Sequence, residues 1–542
     1  MRKFIIFYFL FFIFGASLAC TNFIVGKKAS KDGSAFVTYN QDSYGMYGAL
    51  VYFPAADHPQ GAKRKIIDGD TKKYHGEIAE AAHTYSVMGY INEHQLSIME
   101  TTFGGRGELA DSTGIIDYVS LMQIALQRSK TAREAIKVMT DLVAEYGYAS
   151  EGESFSLVDT NECWIMEMIG KGPGNTGAVW VAVRIPDDAI CCHANQSRIH
   201  KFNLKDKENV MASKDVIKFA RQKGYFSGKD EDFSFSKAYA PADFGSQRYC
   251  DARAWSFYNK WVDGMEKYLD FVDGCHLNDN PEVMPLWFVP REKLSLHDVM
   301  MSMRDHFEGT PFDITKDLGA GPWEMPYRPT PLAFEGPNGE KCFNERPIST
   351  QQTAMSFVAQ VRGDLPNAIG GVLWVANDDP NMCVYTPVYC QSTRVPQCYD
   401  PQTGSDVNFS WKSAFWVENW VSNMVYPRYK ILFPELEKAR DEFEKKELER
   451  QQSVENQALR ETDAVEFLTA YSGKTAYRMM HAWKKLGEKI IVKFNDMAVK
   501  KEKDGKYEMT PDGLAVPPQR PGYPKEYWKK VLEETGDRYY VK

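Results

Sequence analysis

The stretch that most restricts the fold lies at the start of the chain, where an apolar leader runs directly into a cysteine. After two basic residues, residues 5–14 form an unbroken apolar run of ten, which is too short to cross about 30 Å of hydrocarbon. Small residues then occupy the −3 and −1 positions of a cleavage site after Ala19. We therefore predict that residues 1–19 are a signal peptide. The mature protein should be exported, either to a periplasm or out of the cell, and should begin at Cys20.

A β-hairpin is predicted immediately after this cleavage site. Residues 20–26 alternate and are rich in β-forming side chains, residues 27–33 end in Asp-Gly, and residues 34–40 read as a returning strand. Asp42 lies at the end of that second strand. The hairpin should therefore bring its carboxylate close to the nitrogen of Cys20.

Composition excludes several classes of function. The chain has 542 residues, of which 43% are hydrophobic, enough to bury a large core. Its length suggests two to four units, or a single hydrolase unit with long insertions. The net charge of −8, without a basic stripe, argues against nucleic-acid binding. No later stretch is apolar enough to predict a membrane span, and without a zinc-ligand pattern we expect no metal or organic cofactor.

Export would allow the cysteines to form disulfides. There are ten of them, and when Cys20 is set aside the remaining number is odd, so at least one other thiol should be free. Cys390 and Cys398 are near enough in sequence to pair. The sequence does not fix the connectivity.

Cys20 itself has three interpretations: a lipid-carrying cysteine, half of a disulfide, or an N-terminal nucleophile. The lipid signal normally has an aliphatic residue at −3, where this chain has Ser17. A nucleophilic thiol must lose its proton. A free α-amino group, with a pKa of about 7.7–8.0, is partly neutral at working pH and lies on the same Cα, so it can act as the base.

Several blocks of sequence, in this order and spacing, resemble the cysteine-type N-terminal nucleophile (Ntn) hydrolases, most closely the bacterial secreted dipeptidases. Bile-salt hydrolases and penicillin V acylases are more distant members. The resemblance runs from Cys20 to about Tyr429. It is carried by CTNFIVGKKASKDGSAFVTYNQDS, GYINEHQLSIMETTFGG, EGESFSLVDTNECWIMEMIGKG, WVAVRIPDDAICCHANQSRI, HFEGTPFDITKDLGAGPW and GGVLWVANDDPNMCVYTPVY.

The resemblance implies an α+β fold of the αββα four-layer sandwich type, with residues 20–432 as the catalytic domain. Residues 433–542 are expected to be a helical extension with a proline-rich tail that supports the fold or an oligomer. The charge-dense part of this extension predicts a solvated helix that packs by one narrow face. Further strands are predicted at 86–90, 95–101, 154–159, 162–168 and 178–184, and helical spacing covers 115–147, with Thr131 as an N-cap.

The resemblance also assigns catalytic roles to particular residues. Cys20 matches the nucleophile, Asp42 the aspartate that orients the α-amino group, and Asn195 the asparagine whose amide stabilises the oxyanion. Arg253 matches a late arginine near the nucleophile, with Arg248 as a competitor for that role.

Substrate-binding positions are less sharply assigned. Tyr39 stands where the superfamily usually has an arginine, and it cannot supply a fixed positive charge. Asn92 and the run 100–102 are candidates for a second oxyanion donor. Tyr39, Asn92 and Thr102 are the predicted substrate-binding residues.

The predicted activity is hydrolysis of dipeptides or short peptides through an acyl-enzyme on Cys20. Signal peptidase would be needed for maturation, and a homo-oligomer is possible. Two alternatives remain open at this point. One is an Ntn amidase acting on a non-peptide amide such as a bile-salt conjugate, and the other is a binding protein anchored to lipid through Cys20.

Overall fold

The computed structural model describes residues 19–279 and 281–541. The predicted signal peptide, apart from Ala19, lies outside the described residues. The fold is α+β, as expected, and every pairing in its two large sheets is antiparallel.

The first sheet has seven strands, and the two strands of the predicted hairpin are its third and fourth members. Their register places Cys20 opposite Gln41 and Ala19 opposite Asp42, so the hairpin prediction is confirmed. In spatial order the strands are Trp287–Phe288, Ile190–His193, Ala19–Val25, Ala35–Asp42, Thr353–Val361, Val372–Asn377 and Thr386–Tyr389.

The second sheet has eight strands, and its six inner strands, from Val87–Met88 to Ala178–Ile185, lie side by side in sequence order. It contains the strands predicted near 95, 154, 162 and 178, whereas the one predicted at 86–90 is reduced to Val87–Met88. In spatial order its strands are Val210–Ala212, Ala178–Ile185, Cys163–Gly170, Gly152–Val158, Ser97–Gly104, Ile91–Asn92, Val87–Met88 and Tyr52–Phe53.

Four two-stranded ribbons and twelve α-helices complete the described chain. The ribbons are Ala56–Asp57 with His83–Thr84, Lys63–Ile67 with Tyr74–Ala79, Ala333–Glu335 with Lys341–Phe343, and Glu502–Lys503 with Lys506–Tyr507. The helices are Tyr118–Arg128, Ala132–Tyr146, Val216–Gln222, Phe235–Tyr239, Ala252–Trp261, Leu269–Val272, Leu296–Ser302, Asn367–Gly370, Ala414–Val425, Tyr429–Ala458, Ala464–Phe494 and Lys525–Thr535. The predicted helical region 115–147 is two helices, and Thr131 caps the second by accepting a hydrogen bond from the Glu134 amide.

Side chains along the hairpin alternate between two cores, because successive residues of a strand point to opposite faces. Ile24 and Val37 pack into the core that also contains Ile165 of the second sheet. Phe23 and Phe36 pack into another core, beneath the helices that follow residue 252. Cys20 shares the parity of Ile24, so its thiol points toward the second sheet.

A third core lies on the other side of the second sheet. There Phe155 and Trp164 pack against Leu121 and Ile136 of the two helices that follow residue 117. Both sheets are therefore covered on both faces. This explains why strands such as Thr353–Val361 are buried along their whole length.

The charge-dense segment after residue 432 continues a helix that begins at Tyr429. Its buried face carries charged residues, among them Glu444 and Glu455, as well as apolar ones such as Leu436. Glu444 makes two hydrogen bonds to Arg304, at 2.5 and 2.9 Å, and both side chains are 1% exposed. Glu455 makes two more to Arg362, at 2.7 and 2.9 Å. The helix is thus joined to the body by buried ion pairs whose partners are far away in sequence.

In the described part of the chain, no helix combines the length and apolarity needed to cross a membrane.

All ten cysteines are free thiols, so Cys390 and Cys398 are not bonded to each other. Cys390 Sγ instead lies 3.2 Å from the carbonyl oxygen of Asn367.

Replacing Glu444 by Gln should lower the free energy of unfolding by about 3–5 kcal/mol, because it leaves the Arg304 cation buried without its counter-ion. Urea unfolding followed by fluorescence measures this. Glu442→Gln, an exposed position two residues earlier in the same helix, is the matched control and should stay within about 0.5 kcal/mol of wild type. Equal effects at the two positions would show that the buried pair does not anchor the helix.

Candidate active site

Cys20 is the second residue of the edgeward strand of the hairpin and is 1% exposed. Ala19 is still joined to it, so its nitrogen is an amide that stands where an α-amino group would be after cleavage. That nitrogen donates a hydrogen bond of 2.8 Å to Asn195 Oδ1. The position that would act as the base is therefore held by a side chain 175 residues away.

Asn195 follows the strand Ile190–His193 and adopts a left-handed backbone conformation, with φ of 61°. Asn is one of the few residues that tolerate this region. Its Nδ2 donates to the backbone oxygen of Thr102 at 2.8 Å, and Arg253 Nη2 donates to its Oδ1 at 3.0 Å. Two donors on the oxygen and one acceptor at the nitrogen fix which way the amide points.

Arg253 is fully buried in the helix Ala252–Trp261 and makes five hydrogen bonds. Nη1 donates to Cys20 O and Thr21 Oγ1, both at 2.7 Å. Nη2 donates to Ala194 O and Asn195 Oδ1, both at 3.0 Å, and Nε donates to the Tyr249 carbonyl. The structure thus places Arg253 at the nucleophile, where it positions the backbone on either side.

Arg248, the competing arginine, is used elsewhere. Its guanidinium forms a two-pronged ion pair with Glu345 and lies 4.3 Å from the ring centre of Phe312. Arg248 therefore binds Glu345 and Phe312, and the structure does not place it at Cys20.

Asp42 lies at the predicted strand end, and its carboxylate accepts from Thr353 Oγ1 at 2.6 Å and from Arg346 Nη2 at 3.1 Å. Burial raises the pKa of Asp42 to about 6, although Arg346 opposes the rise. Its negative charge helps to raise the pKa of the Cys20 thiol. In the chain with Ala19 attached, the nitrogen of Cys20 bonds to Asn195 rather than to Asp42.

The thiol of Cys20 lies between a phenol and a carboxyl group. Sγ is 3.5 Å from Tyr39 Oη and 3.7 Å from Glu100 Oε1, and Tyr39 Oη donates to that same Glu100 oxygen. Burial raises the pKa of the thiol well above its usual value, and the charges of Glu100 and Asp42 add to the rise. A thiol in this setting stays protonated until a base is provided.

Glu100 interacts with a second buried carboxyl group, that of Glu153 on the adjacent strand. Burial raises the pKa of Glu100 to about 7 and that of Glu153 well above its normal value. Two neighbouring buried carboxyl groups share a proton, because ionising both would bring like charges together in the interior. Thr102 Oγ1 donates to Glu153 at 2.8 Å, so Thr102 borders the pair while its carbonyl binds Asn195.

Asn92 is not brought to this group. Its Nδ2 donates to the carbonyls of Leu126 and Ser129, and its Oδ1 accepts from the amides of His94 and Leu96. The side chain therefore holds a turn against the end of a helix.

Histidine chemistry does not reach the thiol in the described chain. His193 lies opposite Asn22 on the strand that pairs with the strand of Cys20. Its two ring nitrogens lie 2.7 Å from Thr101 Oγ1 and Ser156 Oγ. Burial lowers its pKa to about 3, so the ring is neutral and structural. One possible metal-holding cluster in the described chain is Asp270, Asp273 and His276, which shares no residue with this site.

Three features of this candidate site escaped the sequence analysis: Arg346, Glu153 and the carboxyl group of Glu100 beside the thiol. Arg346 lies in an irregular segment without a motif. The two glutamates had a detectable signal, since each is the lone acid in a strand that is otherwise apolar or hydroxyl-bearing.

The loop that carries Asn195 is held by another buried acid, Glu167. It accepts hydrogen bonds from the hydroxyl of Ser197 and from the amides of Arg198 and Ile199, at 2.5 and 3.1 Å for the amides. Burial nevertheless raises its pKa to about 7. Its ionisation must therefore cost stability at neutral pH.

Comparison with known proteins gives a consistent family. Residues 19–442 match the model of peptidase family C69. A "Probable dipeptidase" of Salmonella dublin is 28% identical over 409 residues, which cover 72% of this chain and 85% of the relative. A "Probable dipeptidase" of Latilactobacillus sakei is 26% identical over 84% of this chain and 92% of its own length. "Dipeptidase A" of Lactobacillus helveticus is 25% identical over 82% and 88% respectively.

The stability difference between wild type and Glu167→Gln should depend on pH. The folded-state pKa is raised above the unfolded value, so the stabilising contribution of the carboxyl group is complete below about pH 4.5 and is lost as pH rises toward about 7. Wild-type stability relative to the variant should therefore fall by about 2–3 kcal/mol between pH 4.5 and 8.

Urea unfolding at several pH values tests this, with the exposed Glu145→Gln as a control that should run parallel to wild type. A stability gap that is constant, or that widens as pH rises, would contradict the assignment of a raised pKa to Glu167.

Proposed function

Since the chain belongs to peptidase family C69, we propose that it is an exported dipeptidase whose nucleophile, Cys20, becomes the first residue of the mature enzyme. Its enzymatic class follows from the family and from relatives named dipeptidases. Export and the N-terminal mechanism are the proposed parts. The observation that supports them most directly is that the Cys20 nitrogen, and not only its thiol, is held within the site, 2.8 Å from Asn195 Oδ1.

In the proposed maturation, signal peptidase cleaves after Ala19 and converts the Cys20 amide into an α-amino group. The family match begins at residue 19, which agrees with this start. Asn195 Oδ1 remains an acceptor for the new amine, and Asp42 provides a negative charge for it when it is protonated. Before cleavage an amide nitrogen cannot accept the thiol proton, and the buried thiol is inert.

In the proposed reaction the α-amino group takes the Sγ proton, and the thiolate attacks the carbonyl carbon of the scissile amide. Asn195 Nδ2 donates to the developing oxyanion, as the family resemblance implies. The ammonium then returns its proton to the leaving amine, which departs and leaves a thioester on Cys20. Water, deprotonated by the same amine, hydrolyses the thioester and regenerates the thiol.

We also propose that the two covered sheets form the αββα sandwich of the Ntn hydrolases, with residues 20–432 as the catalytic body and 433–542 as its support. The separation of three apolar cores, one between the sheets and one on each outer side, supports this arrangement. The helix Tyr429–Ala458 crosses the proposed boundary without a break.

The lipid-anchor alternative is disfavoured by the surroundings of the thiol. Sγ is buried against Tyr39 and Glu100, two polar groups that a diacylglyceryl chain would have to displace. The amidase alternative differs only in substrate and is separated by assay.

Purified mature protein should begin with free Cys-Thr-Asn by mass spectrometry and should hydrolyse dipeptides in preference to conjugated bile salts. Cys20→Ser should keep the fold and lose kcat/KM by about 10³-fold or more, because a hydroxyl is a far weaker nucleophile here. Cys275→Ser, at an exposed thiol, is the control and should remain active.

Activity only on the bile-salt conjugates would reject the dipeptidase proposal. A capped or differently placed N-terminus in active enzyme, or a fully active Cys20→Ser variant, would reject the mechanism.

Asn195 has both an acceptor and a donor at the site, and two substitutions separate them. Asn195→Asp keeps an oxygen for the Cys20 amine but removes the Nδ2 donor, whereas Asn195→Ala removes both. Both variants should lose kcat by about 10²–10³-fold with little change in KM, since the oxyanion exists only near the transition state. If Asn195→Asp stays within about threefold of wild type, the oxyanion role is wrong and the amide serves only to hold the amine.

A further inference from the structure

The proposed reaction leaves one prominent feature of the site unused, the carboxyl pair beside the nucleophile. We propose that Glu100 and Glu153 together bind the α-ammonium group of the substrate, so that the enzyme requires a free amino terminus on the residue whose carbonyl Cys20 attacks. This inference rests on the proposed function and specifies its substrate class.

The distance from the nucleophile fits this role. In an α-amino acid residue the nitrogen is two bonds from the carbonyl carbon, about 2.5 Å away. A carbonyl in position for attack lies about 3–3.5 Å from the thiolate. The ammonium nitrogen of the attacked residue must therefore lie within a few ångströms of Sγ, and Glu100 Oε1 is 3.7 Å from that atom.

The charge and hydrogen-bonding capacity also match. A carboxyl pair that shares one proton carries a single net negative charge, equal and opposite to that of one ammonium group. Apart from the proton that the pair shares, Glu100 Oε2 and Glu153 Oε2 are buried and find no hydrogen-bond donor in the described chain. An ammonium group brings three N–H donors, enough for these oxygens and for Glu100 Oε1.

Within the described protein, no lysine, arginine or histidine is among the groups that most influence the pKa of either carboxyl group. The groups that influence the two pKa values most are themselves acidic or neutral. They are Cys20, Tyr39, Asp70, Thr102 and Glu151, besides the two glutamates. A buried negative charge needs a counter-charge, and the substrate is the cation that the proposed reaction provides.

Access to the pair follows from the proposed maturation. With Ala19 attached, Cys20 and Glu100 are buried, but Thr102, which donates to Glu153, is partly exposed. Removal of Ala19 frees the side of Cys20 that faces Asn195, where the scissile carbonyl must enter. The ammonium group would then lie beside Sγ, against the carboxyl pair, since Sγ and Glu100 Oε1 are themselves only 3.7 Å apart.

The test compares Ala-Ala with propionyl-alanine, which is the same molecule without the α-amino group. Wild type should favour Ala-Ala in kcat/KM by about 100-fold or more, since a site built around a buried polar group rejects an analogue that leaves it unpaired. Glu100→Gln should reduce this preference to within about threefold, mainly by losing activity on Ala-Ala. Glu153→Gln should reduce it in the same direction.

Glu418→Gln is the matched control, because Glu418 is also a buried carboxyl group with a strongly raised pKa but does not contact Cys20. This variant should keep the wild-type preference between the two substrates. Thermal melts of all variants verify that they are folded.

The outcomes separate the two proposals. A wild type that cleaves both compounds equally well, or a Glu100→Gln variant that loses both activities by the same factor, overturns the ammonium site but leaves the dipeptidase function intact. The second result would instead indicate a role in proton transfer. A wild type that cleaves neither compound, nor any other dipeptide, overturns the proposed function and this inference with it.

Discussion

The geometry of the site depends on the hydrogen bonds of one buried guanidinium group, that of Arg253. It contacts the carbonyl of Cys20 on one strand and, just beyond the end of the neighbouring strand, the carbonyl of Ala194 and the side-chain amide of Asn195. These acceptors lie on segments that are more than 170 residues apart in sequence. Because hydrogen bonds from a charged donor are stronger and more directional than neutral ones, this cation sets the spacing between the nucleophile and the amide that serves it.

The charges around Cys20 explain how the site accommodates a tyrosine at position 39. Tyr39 donates its hydroxyl to Glu100, so the vicinity of the thiol is acidic rather than cationic. The cation that the hairpin lacks is replaced by Arg346, which reaches Asp42 from a distant segment. Burial, more than any other influence, lowers the pKa of Arg346 to about 10, and its charge is directed at Asp42. Burial and the neighbouring carboxyl groups consequently keep the thiol protonated.

The parts of the structure that could be predicted from the residues alone are those set by local sequence patterns. The hairpin 20–42, the helix cap at Thr131 and most strands of the second sheet follow from alternation and turn residues, which act over a few positions. The placement of Asn195 and Arg253 beside Cys20 required a family resemblance, because the contacts join distant segments. Arg346 and the carboxyl pair were missed since their partners come from other strands and loops. The prediction that Asn92 binds substrate was wrong, because asparagine also holds buried turns together.

The helix that begins at Tyr429 is connected through buried ion pairs to the strand that contacts Asp42. The strand Thr353–Val361 begins at Thr353, which binds the Asp42 carboxylate, and it ends next to Arg362, which pairs with Glu455 of that helix. Arg304, paired with Glu444 of the same helix, immediately precedes Asp305, whose carbonyl binds the amide of Ser349 in the segment that leads into this strand. The two buried ion pairs thus hold the segment before the strand that positions Asp42 and the residue that directly follows it. A buried charge is costly once its partner is removed. Loss of either ion pair of this helix should therefore also disturb the strand that positions Asp42 at the end of the hairpin.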